Sequence, residues 1–271
     1  MLGLAASILV LPELGGVSLL GHPALDAALL LLVGCVAGLI NVMAGGGSFL
    51  LLPVLIGLGL PATVANGTTR LGVITQSATA VATFRRKGVD TSKVSRALTP
   101  AMLVGALLGA WLATRIDPDV FEPIIGVVLI AWAIVLLVKP DRFLHPPEHE
   151  RAPTRTTHVF GLLVGFYGGF LQAGVGFPLI ALLSGHLGYD LVRANASKVA
   201  LTLVFSLATL PIFMSASQVA WAPAIVLAIG TMTGAWLGTR WQLAQGNEFV
   251  RRFVLVMVAI SGIQMLISTF G

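Results

Sequence analysis

Two cations in apolar surroundings carry the chemistry this sequence can do. Arg70 ends the run Asn66-Gly67-Thr68-Thr69-Arg70, with Gln76 further on, and Lys198 ends Asn195-Ala196-Ser197-Lys198. Each lies about two turns into a helix-length apolar segment. A cation at the bilayer centre costs roughly 2.5–3.5 kcal/mol on insertion scales, so it needs a partner. Acids do not supply one. Glu13, Asp26, Asp90, Asp117, Asp119, Glu122, Asp141, Glu148, Glu150, Asp190 and Glu248 all fall in expected loops or at segment ends. Water or a bound anion is left as the natural partner; the alternative is snorkelling to the nearer interface. In the functional reading, Arg70 and Lys198 neutralise an anion, and Asn66, Thr68, Thr69, Asn195 and Ser197 donate to its oxygens.

Each cation follows a glycine break, Gly45-Gly46-Gly47-Ser48 in one case and Gly174-Val175-Gly176, then Pro178, in the other. Non-helical backbone at membrane depth is tolerated only where protein or a water-filled cavity receives its polar groups. A helix restarting at Ser48 opens with amides that lack intrahelical partners, and Pro178 near a first helical position loses no bond. Such helix starts attract anions, which brings Gly46, Gly47 and Ser48 into the candidate site. Close helix packing is the other use of these glycines. Asn41 and Gln172 stand just before the two breaks. Each reads equally as a substrate ligand or as a brace for its turn.

The elements that position these residues are membrane helices. Hydrophobic residues make up 56% of the 271 and charged residues 10%, against roughly 25% charged in a soluble domain. The apolar runs are long and back to back, as in an all-α polytopic membrane protein. We expect a lead-in over residues 1–26, then segments 27–44, 48–60, 62–84, 97–114 and 120–138. A proline-rich cytoplasmic linker covers 139–157. The second half follows as 159–173, 177–187, 191–214, 219–239 and 249–270. Residues 27–138 and 158–271 thus form two transmembrane repeats.

The repeat is visible directly. Gly105-Ala-Leu-Leu-Gly-Ala-Trp-Leu-Ala-Thr-Arg115 matches Gly230-Thr-Met-Thr-Gly-Ala-Trp-Leu-Gly-Thr-Arg240, and Ala65-Asn66-Gly67-Thr68 matches Ala194-Asn195-Ala196-Ser197. Arg115 and Arg240 are expected to end their helices, and the glycines of these segments to pack against neighbours. Charge sets orientation. The loop with Arg85, Arg86, Lys87, Lys93 and Arg96 should be cytoplasmic, whereas its counterpart, 215–218, is uncharged. The loop with Asp117 and Asp119 should be external, and its counterpart holds Arg240, Arg251 and Arg252. Opposite bias in the halves predicts two inverted-topology repeats, each a glycine-broken helical hairpin plus three transmembrane helices. Both termini would then lie outside.

Several classes are disfavoured. The pI is near 10.0, but the Lys and Arg cluster at segment ends, which is membrane topology and not a nucleic-acid footprint. Cys35 alone cannot form an internal disulfide or a cysteine metal cluster. No nucleophile–base pair or metal-ligand set is evident at depth, so neither an enzyme nor a cofactor is expected. The start lacks a basic stretch, so no signal peptide is expected.

The two glycine turns, each followed by a proline-bearing helix and then a polar cluster, resemble the sulfite exporter TauE/SafE family. The matching residues are Gly45-Gly46-Gly47-Ser48, Pro53 and Ala65-Asn66-Gly67-Thr68-Thr69, then Gly174-Val175-Gly176 and Ala194-Asn195-Ala196-Ser197-Lys198. The Gly-Ala-Trp-Leu-x-Thr-Arg segments also look like the family's small-residue helix. Val175 and Phe177 depart from the glycine-rich second turn common there. The resemblance implies a multi-pass inner-membrane protein moving sulfur-containing anions, such as sulfite or an organosulfonate. The expectation is a secondary transporter working by alternating access, with an anion channel as the alternative. Its partners would be a small anionic substrate and the lipid bilayer, with a homodimer left open.

Overall fold

The computed structural model describes residues 22–89, 92–138 and 149–270, and every regular element among them is helical. Helix α1 spans Pro23–Met43 and starts with proline in its first turn, where the missing N–H costs nothing. The short α2 spans Ser48–Gly57, followed by α3 over Ala62–Arg86, α4 over Ser92–Ala113 and α5 over Pro118–Val138. In the second half α6 spans Arg155–Phe170, begun by a capping box between Thr154 and Thr157. Helix α7, Gly176–Ile180, runs on as a π-helix over Ala181–His186. Helix α8 spans Leu191–Ser215, with the Asp190 carboxylate accepting from the Val192 and Arg193 amides, both at 3.0 Å. Helix α9 spans Trp221–Phe270, with a non-helical break at Gly246.

Four of these helices contain stretches long and apolar enough to cross a bilayer: Ala24–Met43, Val94–Ala113, Leu191–Ser215 and Trp221–Gly246. Helix α3 is equally long but polar, and it buries Thr63, Asn66, Thr68, Thr69, Arg70, Gln76 and Ser77. Such a helix can lie within a bilayer only if its neighbours shield it. Accordingly, α3 packs against both α8 and α9. Helix α2 has 10 residues, about 15 Å at ~1.5 Å per residue, half the hydrocarbon thickness. It cannot cross alone, as a glycine-broken hairpin requires.

Several boundaries differ from the sequence expectation; α4, for one, begins at Ser92, ahead of the expected 97, and takes in Lys93 and Arg96 of the expected loop. Helix α1 begins inside the assigned lead-in and buries Asp26 completely in its first turn; residues 1–21 of that lead-in lie outside the described residues. Helix α6 begins within the assigned linker, because Thr154 caps it, while 139–148 lie outside the described residues. Arg240 does not end its helix. It lies inside α9, stacked 4.2 Å from the Trp236 ring centroid, and the chain breaks only at Gly246. Arg115 follows the end of α4 and stacks likewise, 4.2 Å from Trp111.

The halves exchange their first helices. Helix α1 packs on α9 of the second half, and α6 packs on α4 of the first. Both contacts are backbone-close at small residues. A methyl on Gly109 would overlap the Phe166 carbonyl, and one on Gly234 the Cys35 carbonyl. These are the repeated glycines seen in the sequence, so their packing role holds. Apolar clusters seal each side. Leu51, Leu52, Leu55, Phe121 and Phe213 belong to one, and Leu98, Met102, Leu183 and Phe205 to the other.

Candidate functional site

The two glycine turns meet. A Cβ on Gly45 would lie 2.5 Å from the Gly176 Cα, so no larger residue fits at this crossing. Gly45 and Gly174 also hold φ of +93° and +73°, left-handed values that favour glycine. Phe49 and Phe177, one from each hairpin, stack beside the crossing with centroids 5.8 Å apart. Phe177 thus completes an aromatic pair between the two turns.

At this crossing α1 and α6 end, each with backbone carbonyls that have no helical N–H to accept from. The polar clusters of α3 and α8 fill those ends. Asn66 donates its amide to the Phe170 carbonyl at 2.9 Å. Four residues on, Arg70 donates to the carbonyls of Gly168 at 3.1 Å and Gly169 at 2.6 Å, and to the Thr209 hydroxyl at 3.0 Å. In the other half Asn195 donates to the Met43 carbonyl at 2.9 Å. Three residues on, Lys198 donates to Asn41 O at 2.8 Å, Val42 O at 2.9 Å and Asn195 Oδ1 at 2.7 Å. Phe170 and Met43 are the last residues of α6 and α1. Each half thus caps the other's first helix with an asparagine and a cation. Spacings of three and four residues put both groups on one helix face.

The acceptors just named are all neutral oxygens. Their lone pairs and the negative ends of α6 and α1 lower the cost of the buried cations without cancelling a full charge. The sequence pointed to water or an anion as the partner; the bonds found run to helix-end carbonyls. Neither cation snorkels: Arg70 is 0% exposed and Lys198 2%. The Phe213 ring lies under the Arg70 guanidinium, 4.2 Å to its centroid, and adds a cation–π contact.

The remaining sequence candidates fall around the same ends. Asn66 Oδ1 accepts from the Gln172 amide, and the Gln172 side chain donates to Ser206 at 3.1 Å. Asn41 donates to the Ser48 hydroxyl across the first turn at 3.4 Å. Thr68 accepts from the Ala220 amide at 3.0 Å, and Thr69 donates to its own helix at Asn66 O. Ser197 is buried in α8. At the first turn the Phe49 and Leu50 amides bond back to Gly46 O and Gly47 O, which tightens the start of α2.

One cavity opens beside Lys198. It measures about 10 Å3, room for roughly one water. Asn41, Gln76, Ser77, Gly176, Lys198 and Thr202 line it. Gln76 was visible in the sequence only as a late member of the polar run, and Ser77 and Thr202 carried no signal. Among the described residues no His, Cys, Asp and Glu cluster could hold a metal ion. At the N-terminal end of α8, Arg193 pairs with Glu150 and lies over the Tyr189 ring. Burial and then the Glu150 charge push the Tyr189 phenol above its usual range, with Arg193 opposing.

Comparison with known proteins places this arrangement. The sequence model of the sulfite exporter TauE/SafE family matches residues 30–265, so the match takes in both turns, both cations and both exchanged helices. The chain belongs to the sulfite exporter TauE/SafE family. Curated relatives carry the name of probable membrane transporter protein. One from Haemophilus influenzae is 28% identical over 234 residues, covering 85% of this chain and 90% of the relative. YfcA of Escherichia coli K12 is 28% identical over 246 residues, 89% of this chain and 90% of its own. YdhB of Bacillus subtilis is 22% identical over 242 residues, 87% and 96% respectively. No solved structure matches significantly. This TauE/SafE chain is therefore a multi-pass membrane transporter.

Proposed function

We propose that the chain is a secondary transporter for a small sulfur oxyanion, an organosulfonate such as sulfoacetate or sulfite, across the inner membrane. The observation that carries this reading is a pair of fully buried cations, held by neutral oxygens where the two halves meet. A site built from Arg70 and Lys198 keeps net positive charge inside a lipid-embedded body, and an entering anion completes it. The cavity beside Lys198 is far too small for a sulfonate, so an anion reaches Lys198 there only when the lining parts. A site that must open to admit its anion favours alternating access over a standing pore. As the halves part, Asn66, Thr68, Thr69, Asn195, Ser197, Asn41 and Gln172, with the amides of Gly46, Gly47 and Ser48, trade present bonds for the anion's oxygens. The exchange of first helices supports halves of inverted topology that rock against each other.

Counterflow tests the reading. Proteoliposomes containing the purified chain should take up labelled sulfoacetate or sulfite saturably when preloaded with the same anion. No flux of any sulfur oxyanion defeats the proposal, and flux that never saturates favours a channel. Topology has a separate check. Single cysteines at Ser92 and Ser217, in a Cys35→Ala background, should be labelled from opposite sides of the membrane; labelling from one side rejects the inversion.

A further inference from the structure

We propose that Gln76 and Ser77 of α3, with Thr202 one turn beyond Lys198 on α8, form a substrate-coordinating wall around Lys198, so that the oxyanion site is asymmetric and built on the Lys198 side. The inference rests on the transport reading above and adds to it the groups that meet the anion's oxygens when this cavity widens to admit it.

Gln76 is 3% exposed, and its Oε1 has no hydrogen-bond partner. The side chain lines the cavity it shares with Lys198, Asn41, Ser77, Gly176 and Thr202. A buried amide left unpaired is destabilising, so its retention at a cavity wall points to a ligand that pairs with it. Amide oxygen and nitrogen exchange by a half-turn, which presents two N–H donors to the cavity.

Lys198 does not play that part while its present bonds hold. An ammonium has three donors, and all three are engaged by Asn41 O, Val42 O and Asn195 Oδ1. It supplies field, and the polar wall around it adds hydrogen bonds to the substrate. That wall includes two hydroxyls that donate as readily as they accept. No acid lines the cavity, which suits an anion.

Ser77 has a counterpart in Ser206, but the other two wall residues are not an inheritance of the repeat. Pairing Asn66 with Asn195 sets Gln76 against Phe205 and Thr202 against Val73. Phe205 and Val73 are buried core residues, so the polar pair arises only around Lys198. Packing alone would favour apolar residues at both places.

The test uses the full chain in nanodiscs, titrated calorimetrically with sulfoacetate, sulfite and sulfate, with thermal unfolding recorded in the absence of anion. Gln76→Met should weaken binding of the anion that the unaltered chain binds at least tenfold, without lowering the unfolding temperature. A structural role would lower that temperature instead. Thr202→Val, close in shape, should weaken binding severalfold and decides the matter where Gln76→Met does not fold. Affinities within twofold of the unaltered chain in either folded variant overturn the proposal while leaving the transport reading intact. If the unaltered chain binds none of the anions, both fall.

Discussion

Replacing Lys198 with methionine separates the two jobs assigned to this cation. Methionine keeps most of the length and apolar volume, so little empty space arises. What disappears is the charge and three hydrogen bonds, to Asn41 O, Val42 O and Asn195 Oδ1. Bonds to a charged group contribute about 1.5–3 kcal/mol each, so roughly 4.5–9 kcal/mol of interaction is lost. Removing the buried charge returns about 2.5–3.5 kcal/mol on insertion scales. The balance is a destabilisation of about 1–6.5 kcal/mol. Thermal unfolding in nanodiscs without anion reads it directly. At about 2–4 °C per kcal/mol for chains of comparable size, a fall of about 2 °C or more is expected. Lys198→Arg, which keeps the charge and several donors, should recover part of it. An unfolding temperature equal to that of the unaltered chain would refute the capping argument, even if anion transport vanished.

Three further outcomes follow from the same contacts. Asn66→Leu removes the donor to Phe170 O and the acceptor for the Gln172 amide, and should cost about 1–3 kcal/mol in unfolding free energy for the group left unpaired. Gln242 is 0% exposed with neither amide atom bonded, so Gln242→Met should raise the unfolding temperature, by about 1 kcal/mol in stability. Gly45→Ala forces a side chain into a left-handed backbone and against Gly176. It should therefore reduce the yield of monodisperse protein in size-exclusion chromatography far more than Gly59→Ala, where φ is +95° but no neighbour lies within 4 Å.

Much of this architecture was legible because membranes leave few choices. Apolar runs gave the helices, and the glycine run gave the first turn. The matched Gly-Ala-Trp-Leu segments gave both the duplication and the packing surfaces. The candidate residues also proved to be neighbours: Asn41, Asn66, Arg70, Gln172, Asn195 and Lys198 converge on two helix ends. What the sequence could not reveal was their present partners. Backbone carbonyls have no residue type, so a helix end leaves no letter in the sequence to pair with a lysine. The register shift is equally silent, since Arg70 stands four residues past its asparagine and Lys198 three past its own. The start of α1 is hidden because Asp26 reads as a breaker of the lead-in, whereas an acid is favourable in a first helical turn, as is Pro23 at its start. The π-helix after α7, whose Ser184 hydroxyl is buried and unbonded, follows an apolar run with no mark of it.

Reciprocal capping has a consequence for how the molecule is made. When the ribosome has delivered residues 22–138, the lower end of the first helix is still bare, because the asparagine and lysine that close it lie at 195 and 198. The early half must wait in the insertion machinery, its open end wet or chaperoned, until the late half arrives. A chain cut between the halves, ahead of the Thr154 cap, should then yield two fragments that are short-lived when made singly and long-lived when made in the same cell.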